Sequence, residues 1–325
     1  MALESGANVV TGNRLDLSKL LAEMRLVQSL PFPSAARQVI WVSSVSGNNA
    51  NSGDHPGAPM ATVGGATGAA LKSSITANDG VVIVAMEGHT ETVATAGGMS
   101  FADAGVSLIG LGQGASRPTF TFNGLVTASM TVTGNSFFCQ NCLYEGGIDA
   151  LTGYIELDAT DIWFKDCETR DSTRQDTDTI VAGGTTACDR LKIINHVHRG
   201  AAAAGADTAI SIIGGDGITI TNPWIDGNFA VAAIENVTTA ATNLSLFGGA
   251  NCYLRTRNAA DVIFTAVATT TGAVVGPIAA RLQDNAANIT EAFVGADMNF
   301  YQPISISNAD GEAGLNTNIT ASTDA

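Results

Sequence analysis

The most constraining feature of this 325-residue chain is a five-residue unit that returns at nearly even intervals: apolar, any, apolar, any, then Asn, Asp or Gly. It reads Val106-Ser-Leu108-Ile-Gly110, Phe137-Phe-Cys139-Gln-Asn141, Ile162-Trp-Phe164-Lys-Asp166, Leu191-Lys-Ile193-Ile-Asn195 and Ile218-Thr-Ile220-Thr-Asn222, with a weaker copy at Leu244-Ser-Leu246-Phe-Gly248. The closing residues lie 31, 25, 29, 27 and 26 apart. Apolar residues two apart share one face of a strand, and Asn, Asp or Gly tolerates the left-handed backbone of a sharp turn. A strand and a turn every 25 to 31 residues leaves too little chain for alternating strands and helices. It matches one coil of a parallel β-solenoid. The predicted fold is all-β, a right-handed parallel β-helix, with a β-sandwich of irregular strand spacing as the alternative. Second strands are expected at Tyr154–Leu157, Thr179–Val181, Ala209–Ile213 and Val231–Ile234.

The composition agrees. Hydrophobic residues make up 45% and charged residues only 14%, which favours short strands and tight turns over long exposed helices. Residues 1–40 read as an N-terminal arm, 41–265 as the β-helix, and 266–325 as closing strands and a C-terminal cap. Within the arm, Asp16 to Leu30 carry Leu17, Leu20, Leu21, Met24 and Val27 in an amphipathic pattern that stops before Pro31. This helix is expected either to cap the first coil, whose free edge invites aggregation, or to attach the protein to a partner. A second short helix is expected over Ala61 to Lys72. A net charge of −15 opposes a grip on nucleic acid or anionic membranes, and no stretch approaches the ~20 apolar residues of a span. The N-terminus lacks a secretory pattern. Five cysteines, one Cys139-Gln-Asn-Cys142 spacing and no second such pair favour buried thiols over a metal site. Cys142 and Cys167 each follow a turn residue and are expected in neighbouring rungs.

Residues 40–91 resemble the opening of the pectate-lyase-like family of β-helix proteins. Trp41-Val-Ser-Ser, Gly47-Asn-Asn-Ala-Asn-Ser-Gly-Asp54 and Pro56-Gly-Ala-Pro-Met-Ala-Thr62 match its first strand, polar loop and small-residue segment. Ala77-Asn-Asp-Gly-Val-Val-Ile-Val-Ala-Met-Glu-Gly88 resembles its first rung, with His89 and Glu91 near the family's usual aromatic and Glu. With the repeats, the resemblance spans about residues 40 to 265. It implies a fold rather than an activity, because one scaffold hosts many. The arrangement of arm, short β-helix and low charge is also similar to phage-encoded virion proteins of this fold.

Candidate chemistry concentrates between residues 156 and 178, where Glu156, Asp158, Asp161, Asp166, Glu168, Asp171, Asp176 and Asp178 fall close together. Paired carboxyls in a groove suit glycoside cleavage, and Asp166, Glu168 and Asp171 are its candidate residues. The family's polygalacturonase pattern is not assembled: Arg190-Leu-Lys192 matches only its last fragment, and Lys192 is expected to point outward. His196 and His198 could share a strand face, but without a third ligand they read as exposed turn residues. Gly214-Gly-Asp-Gly217 lacks the Lys of a phosphate loop and reads as a turn.

The leading expectation is therefore a non-enzymatic virion protein, a capsid decoration or cement protein on the capsid surface, made in the host cytoplasm and needing no cofactor or metal. Its arm, through Leu17, Leu20, Leu21, Met24 and Val27, would bind the major capsid protein or another virion protein. A homotrimer is expected by analogy with other phage β-helices. The alternative is a carbohydrate-active tailspike, lyase or hydrolase using the acidic groove, with Trp163 and Trp224 as candidate sugar platforms, or a glycan-binding module that uses the same face without cleavage.

Overall fold

The computed structural model describes residues 38–71, 80–171, 178–184, 186–201, 205–257, 262–281, 293–294, 297–301, 304–307 and 313–315. Residues 1–37 of the arm, with its five candidate attachment residues, lie outside them, as does Asp176.

The short strands stack into three parallel sheets, each coil contributing one strand to each sheet. Sheet 1 holds the repeat strands and runs through Gln38–Val42, Val81–Ala85, Ser107–Gly110, Phe138–Gln140, Trp163–Lys165, Lys192–Ile194, Thr219–Thr221, Leu244–Phe247, Gly272–Val275 and Met298–Tyr301. Sheet 2 follows each sharp turn, from Thr90–Val93 through Leu143–Gly146, Glu168–Arg170, Val197–Arg199, Trp224–Gly227, Tyr253–Thr256 and Ile278–Arg281 to Ile304–Ser307. Sheet 3 includes Met130–Val132, Ile155–Leu157, Asp178–Ala182, Thr208–Ile212, Ala232–Asn236 and Val262–Ala266. All pairings are parallel until Ala313–Leu315 returns antiparallel against Ile304–Ser307. The molecule is a right-handed parallel β-helix, the hand that parallel crossovers take. Its ladders continue past residue 265 to the last described strands.

The repeat aligns as the spacing requires. Leu108, Cys139, Phe164, Ile193, Ile220 and Leu246 are partners in strict register, and all are fully buried. Beside this aliphatic column runs an aromatic one. Phe120 stacks on Tyr144 at 5.5 Å and Tyr144 on Phe164 at 5.6 Å; such pairs each add about 1 kcal/mol beyond burial. Cys139, Cys142 and Cys167 pack here as buried free thiols, with Cys139 Sγ 3.6 Å from Cys167 Sγ and 3.0 Å from the Tyr144 hydroxyl. Burial pushes the Cys139 thiol well above its usual range.

The turn residues form a ladder. Asn141, Asp166, Asn195 and Asn222 hold φ of 58°, 52°, 51° and 52°. Asn222 Nδ2 donates to Asn195 Oδ1 at 3.0 Å, and Asn195 Nδ2 to Asp166 Oδ1 at 2.9 Å. A second left-handed ladder, not anticipated, marks the corner before sheet 1 at Gly105, Ser136, Asp161, Arg190, Gly217 and Asn243.

One local expectation is corrected, and the helix expected over Asp16 to Leu30 as a cap lies outside the described residues. The short helix expected from Ala61 reduces to a single 3-10 turn at Ala69–Leu71, because Gly64, Gly65 and Gly68 favour turns and Gly65 sits at φ 76°. The free edge of the first strand is closed by a loop, through Trp41 N–H to Gly53 O and Met60 N–H to Trp41 O, both 2.8 Å. Glu91 ties this loop down by accepting the Val63 and Gly64 amides at 2.7 and 2.8 Å. His89 Nδ1 accepts the Ser44 amide at 2.9 Å.

Candidate functional site

The coil scatters the acidic run that looked contiguous in sequence. Asp161 and Asp166 belong to the two corner ladders; Asp161 takes a two-point hydrogen bond from Arg190 at 2.6 and 2.7 Å. Asp166 accepts from Asn195 and from Gln140 Nε2. Glu168 faces outward on sheet 2, ringed by Arg117, Arg170 and Arg199. Burial raises its pKa, but hydrogen bonds from Arg170 and Arg117 outweigh that and hold it below the usual carboxylate range. Asp171 is turned inward with a fully buried side chain, its Oδ2 accepting the Ala206 amide at 3.1 Å. Asp166, Glu168 and Asp171 therefore point in three directions and make no shared site.

His196 and His198 are fully buried, not exposed. His196 occupies the inward position after the turn that Cys142 and Cys167 fill in the preceding coils, and His198 alternates into the core two residues on. Thr169 Oγ1 lies 3.0 Å from both His196 Nε2 and His198 Nδ1, and His198 Nε2 stands 3.5 Å from Asp171 Oδ2. The geometry looks like a relay, but it is sealed inside the solenoid and no substrate can reach it. Burial and then the neighbouring His198 depress the His196 pKa to about 3, so its ring is neutral at ordinary pH. Lys192 does point outward, 4.1 Å over the Trp163 ring.

The group of carboxyls best suited to chemistry lies on the outer face of sheet 3. Ala209 and Ile210 both join the core, as do Ala233 and Ile234, so the strand's first residue faces out. This puts Asp178 on the surface, paired with Thr208, while Glu156, Val181, Ser211 and Glu235 form the next outward column in register. Asp207 immediately precedes Thr208, one rung from Asp178. Glu235 is 6% exposed and accepts the Ser211 hydroxyl at 2.9 Å, whereas Asp178, Asp207 and Glu156 are partly open. Rungs stack about 5 Å apart, so Asp178, Asp207 and Glu235 sit about 5–10 Å apart along the stack, while Glu156 lies three rungs, about 15 Å, from Glu235. Burial, then the charges of Glu235 and Asp207, lift the Asp178 pKa to about 7. Burial also raises Asp207, Glu235 and Glu156, with hydrogen bonds from Ser211 and Ser129 partly offsetting the last two. All four carboxyls of this face are thus shifted toward holding a proton, Asp178 the furthest.

Comparison with solved structures returns a rhamnogalacturonan lyase, with a TM-score of 0.50 and 12% identity over 81% of this chain and 73% of that one. The fold is that of a pectate-lyase-like β-helix. At this identity the likeness concerns the fold alone. No protein-family model matches the chain, and no curated protein does.

Proposed function

We propose that the protein cleaves glycosidic bonds in a polysaccharide, using the carboxyls on the outer face of sheet 3. The observation that carries this reading is the placement of Asp178, Asp207 and Glu235 on successive rungs of one partly open face, where burial and mutual charge lift Asp178 to about 7. Hydrolysis of a glycoside needs a protonated carboxyl to donate to the leaving oxygen and an ionised one to draw a proton from water or to attack, about 5–9.5 Å apart. Asp178 is the proton donor; Asp207 and Glu235 supply the ionised partner. The virion expectation drew on the arm, the missing secretory pattern and the lack of an assembled catalytic set, and its attachment residues lie outside the described residues; the sheet 3 carboxyls support the carbohydrate-active alternative.

The test is release of reducing ends from a panel of bacterial and plant polysaccharides. Wild type is expected to release them and Asp178→Asn to lose at least ~100-fold, the usual worth of an acid–base group. Full activity in Asp178→Asn overturns the assignment, and an unsaturated, ultraviolet-absorbing product overturns the hydrolytic chemistry.

A further inference from the structure

Sheet 2 carries a second surface, on a different face from the carboxyls. Its outward columns in register are Leu143, Glu168, Val197, Trp224, Tyr253 and Ala279, and beside them Glu145, Arg170, Arg199, Asp226, Arg255 and Arg281. Arg199 lies over the Trp224 ring at 4.9 Å, and Trp224 packs on Tyr253 at 5.7 Å with a 30° tilt. This outward stack stops at Ala279, an exposed small residue where a further ring would fit. The far side of Tyr253 is thereby left open, and a cavity of about 500 Å³ lies there, lined by Trp224, Asp226, Asn251, Tyr253, Arg255 and Ala279. Arg281 stands directly opposite Arg255 on the neighbouring strand; Arg255 lies 3.7 Å from Asp226 and Arg257 bonds the same carboxylate at 2.6 Å, so one carboxylate faces three arginines and the patch keeps an excess of positive charge. On a chain of net charge −15, this is a local concentration of cations.

We propose that the space beside Tyr253 binds a saccharide ring bearing an anionic group. The apolar face of the sugar stacks on Tyr253 over Ala279. Asn251 meets its hydroxyls, and its carboxylate or sulfate lies between Arg255 and Arg281. A nucleic-acid strand would also offer rings and anions. The overall negative charge and the Asp226 carboxylate in the lining oppose a phosphate on every unit. The site stands whether or not the sheet 3 carboxyls cleave, since the two faces share no residue.

Binding to an array of neutral, carboxylated and sulfated oligosaccharides, followed by titration of the best ligand, tests this. Wild type is expected to select acidic members. Ala279→Phe fills the space with all polar groups intact and should weaken binding at least ~10-fold while leaving the melting temperature near wild type. Arg281→Gln should weaken the acidic ligand but not its carboxyl-reduced counterpart. Undiminished binding by Ala279→Phe, equal binding of an oligothymidylate, or no acidic member retained by wild type overturns the proposal.

Discussion

Replacing Asp178 by Asn should make the protein more stable, and only above the acid range. A carboxyl with an ordinary value of 3.8 that titrates at about 7 in the fold is one the folded state prefers to keep protonated. At pH 3 both folded and unfolded chains hold the proton and the difference vanishes. Between pH 4 and 7 the unfolded chain releases it while the folded chain retains it, so the native state loses stability as pH rises. The loss amounts to about 3 kcal/mol at pH 6 and levels off at about 4 kcal/mol by pH 8. These are upper bounds, because Glu235 and Asp207 titrate alongside. Asn cannot ionise and escapes the whole term. Urea denaturation of wild type and Asp178→Asn at pH 3, 6 and 8 reads it directly. The variant should match wild type at pH 3, apart from a constant offset, and gain on it by ~2–4 kcal/mol by pH 8. A difference that stays flat across pH would refute the claim that burial and neighbouring carboxyls hold a proton on Asp178. A catalytic carboxyl that lowers stability at working pH is the trade-off expected of functional sites.

Three further outcomes follow from the coil interior. Phe164→Ala interrupts the Tyr144–Phe164–His196 stack at a fully buried position and should cost ~3–5 kcal/mol in denaturant titration. Asn195→Ala should cost ~2–3 kcal/mol, combining a left-handed backbone with lost ladder bonds to Asp166 and Asn222, whereas Asn195→Gly should recover the backbone part. All five thiols are buried, so a thiol reagent should label none in the native protein and all five after denaturation; rapid native labelling of Cys139 would contradict the packing.

The scaffold was legible because its rules are local. A period of two places each apolar pair inside, and Asn or Asp at the sharp turn advertises a left-handed backbone, so the sheet 1 column and most sheet 3 strands could be read directly. The corner before sheet 1 repeats with the same spacing but stayed hidden, because Gly, Ser, Asp, Arg, Gly and Asn fill it in turn and share no composition. His196 and His198 were misread for a related reason: polarity suggested exposure, while the turn position they follow is an inward one. The acidic run misled most. Neighbours in sequence diverge at each corner, sending Asp166 to a turn, Glu168 to sheet 2, Asp171 inside and Asp178 to sheet 3. The informative signal was recurrence at the coil length. Asp178, Asp207 and Glu235 lie 29 and 28 residues apart, and Trp224 and Tyr253 lie 29 apart. Residues one coil apart stack on one surface, and that spacing locates both proposed sites.

The most direct test is the titration of the Asp178 side chain itself, followed by carbon-detected magnetic resonance of its carboxyl in the intact protein. The account predicts a midpoint about 3 pH units above an ordinary aspartate, close to 7, moving down when Glu235 is replaced by Gln. A midpoint near 3.8, unchanged by Glu235→Gln, would leave no proton donor at neutral pH and would contradict it.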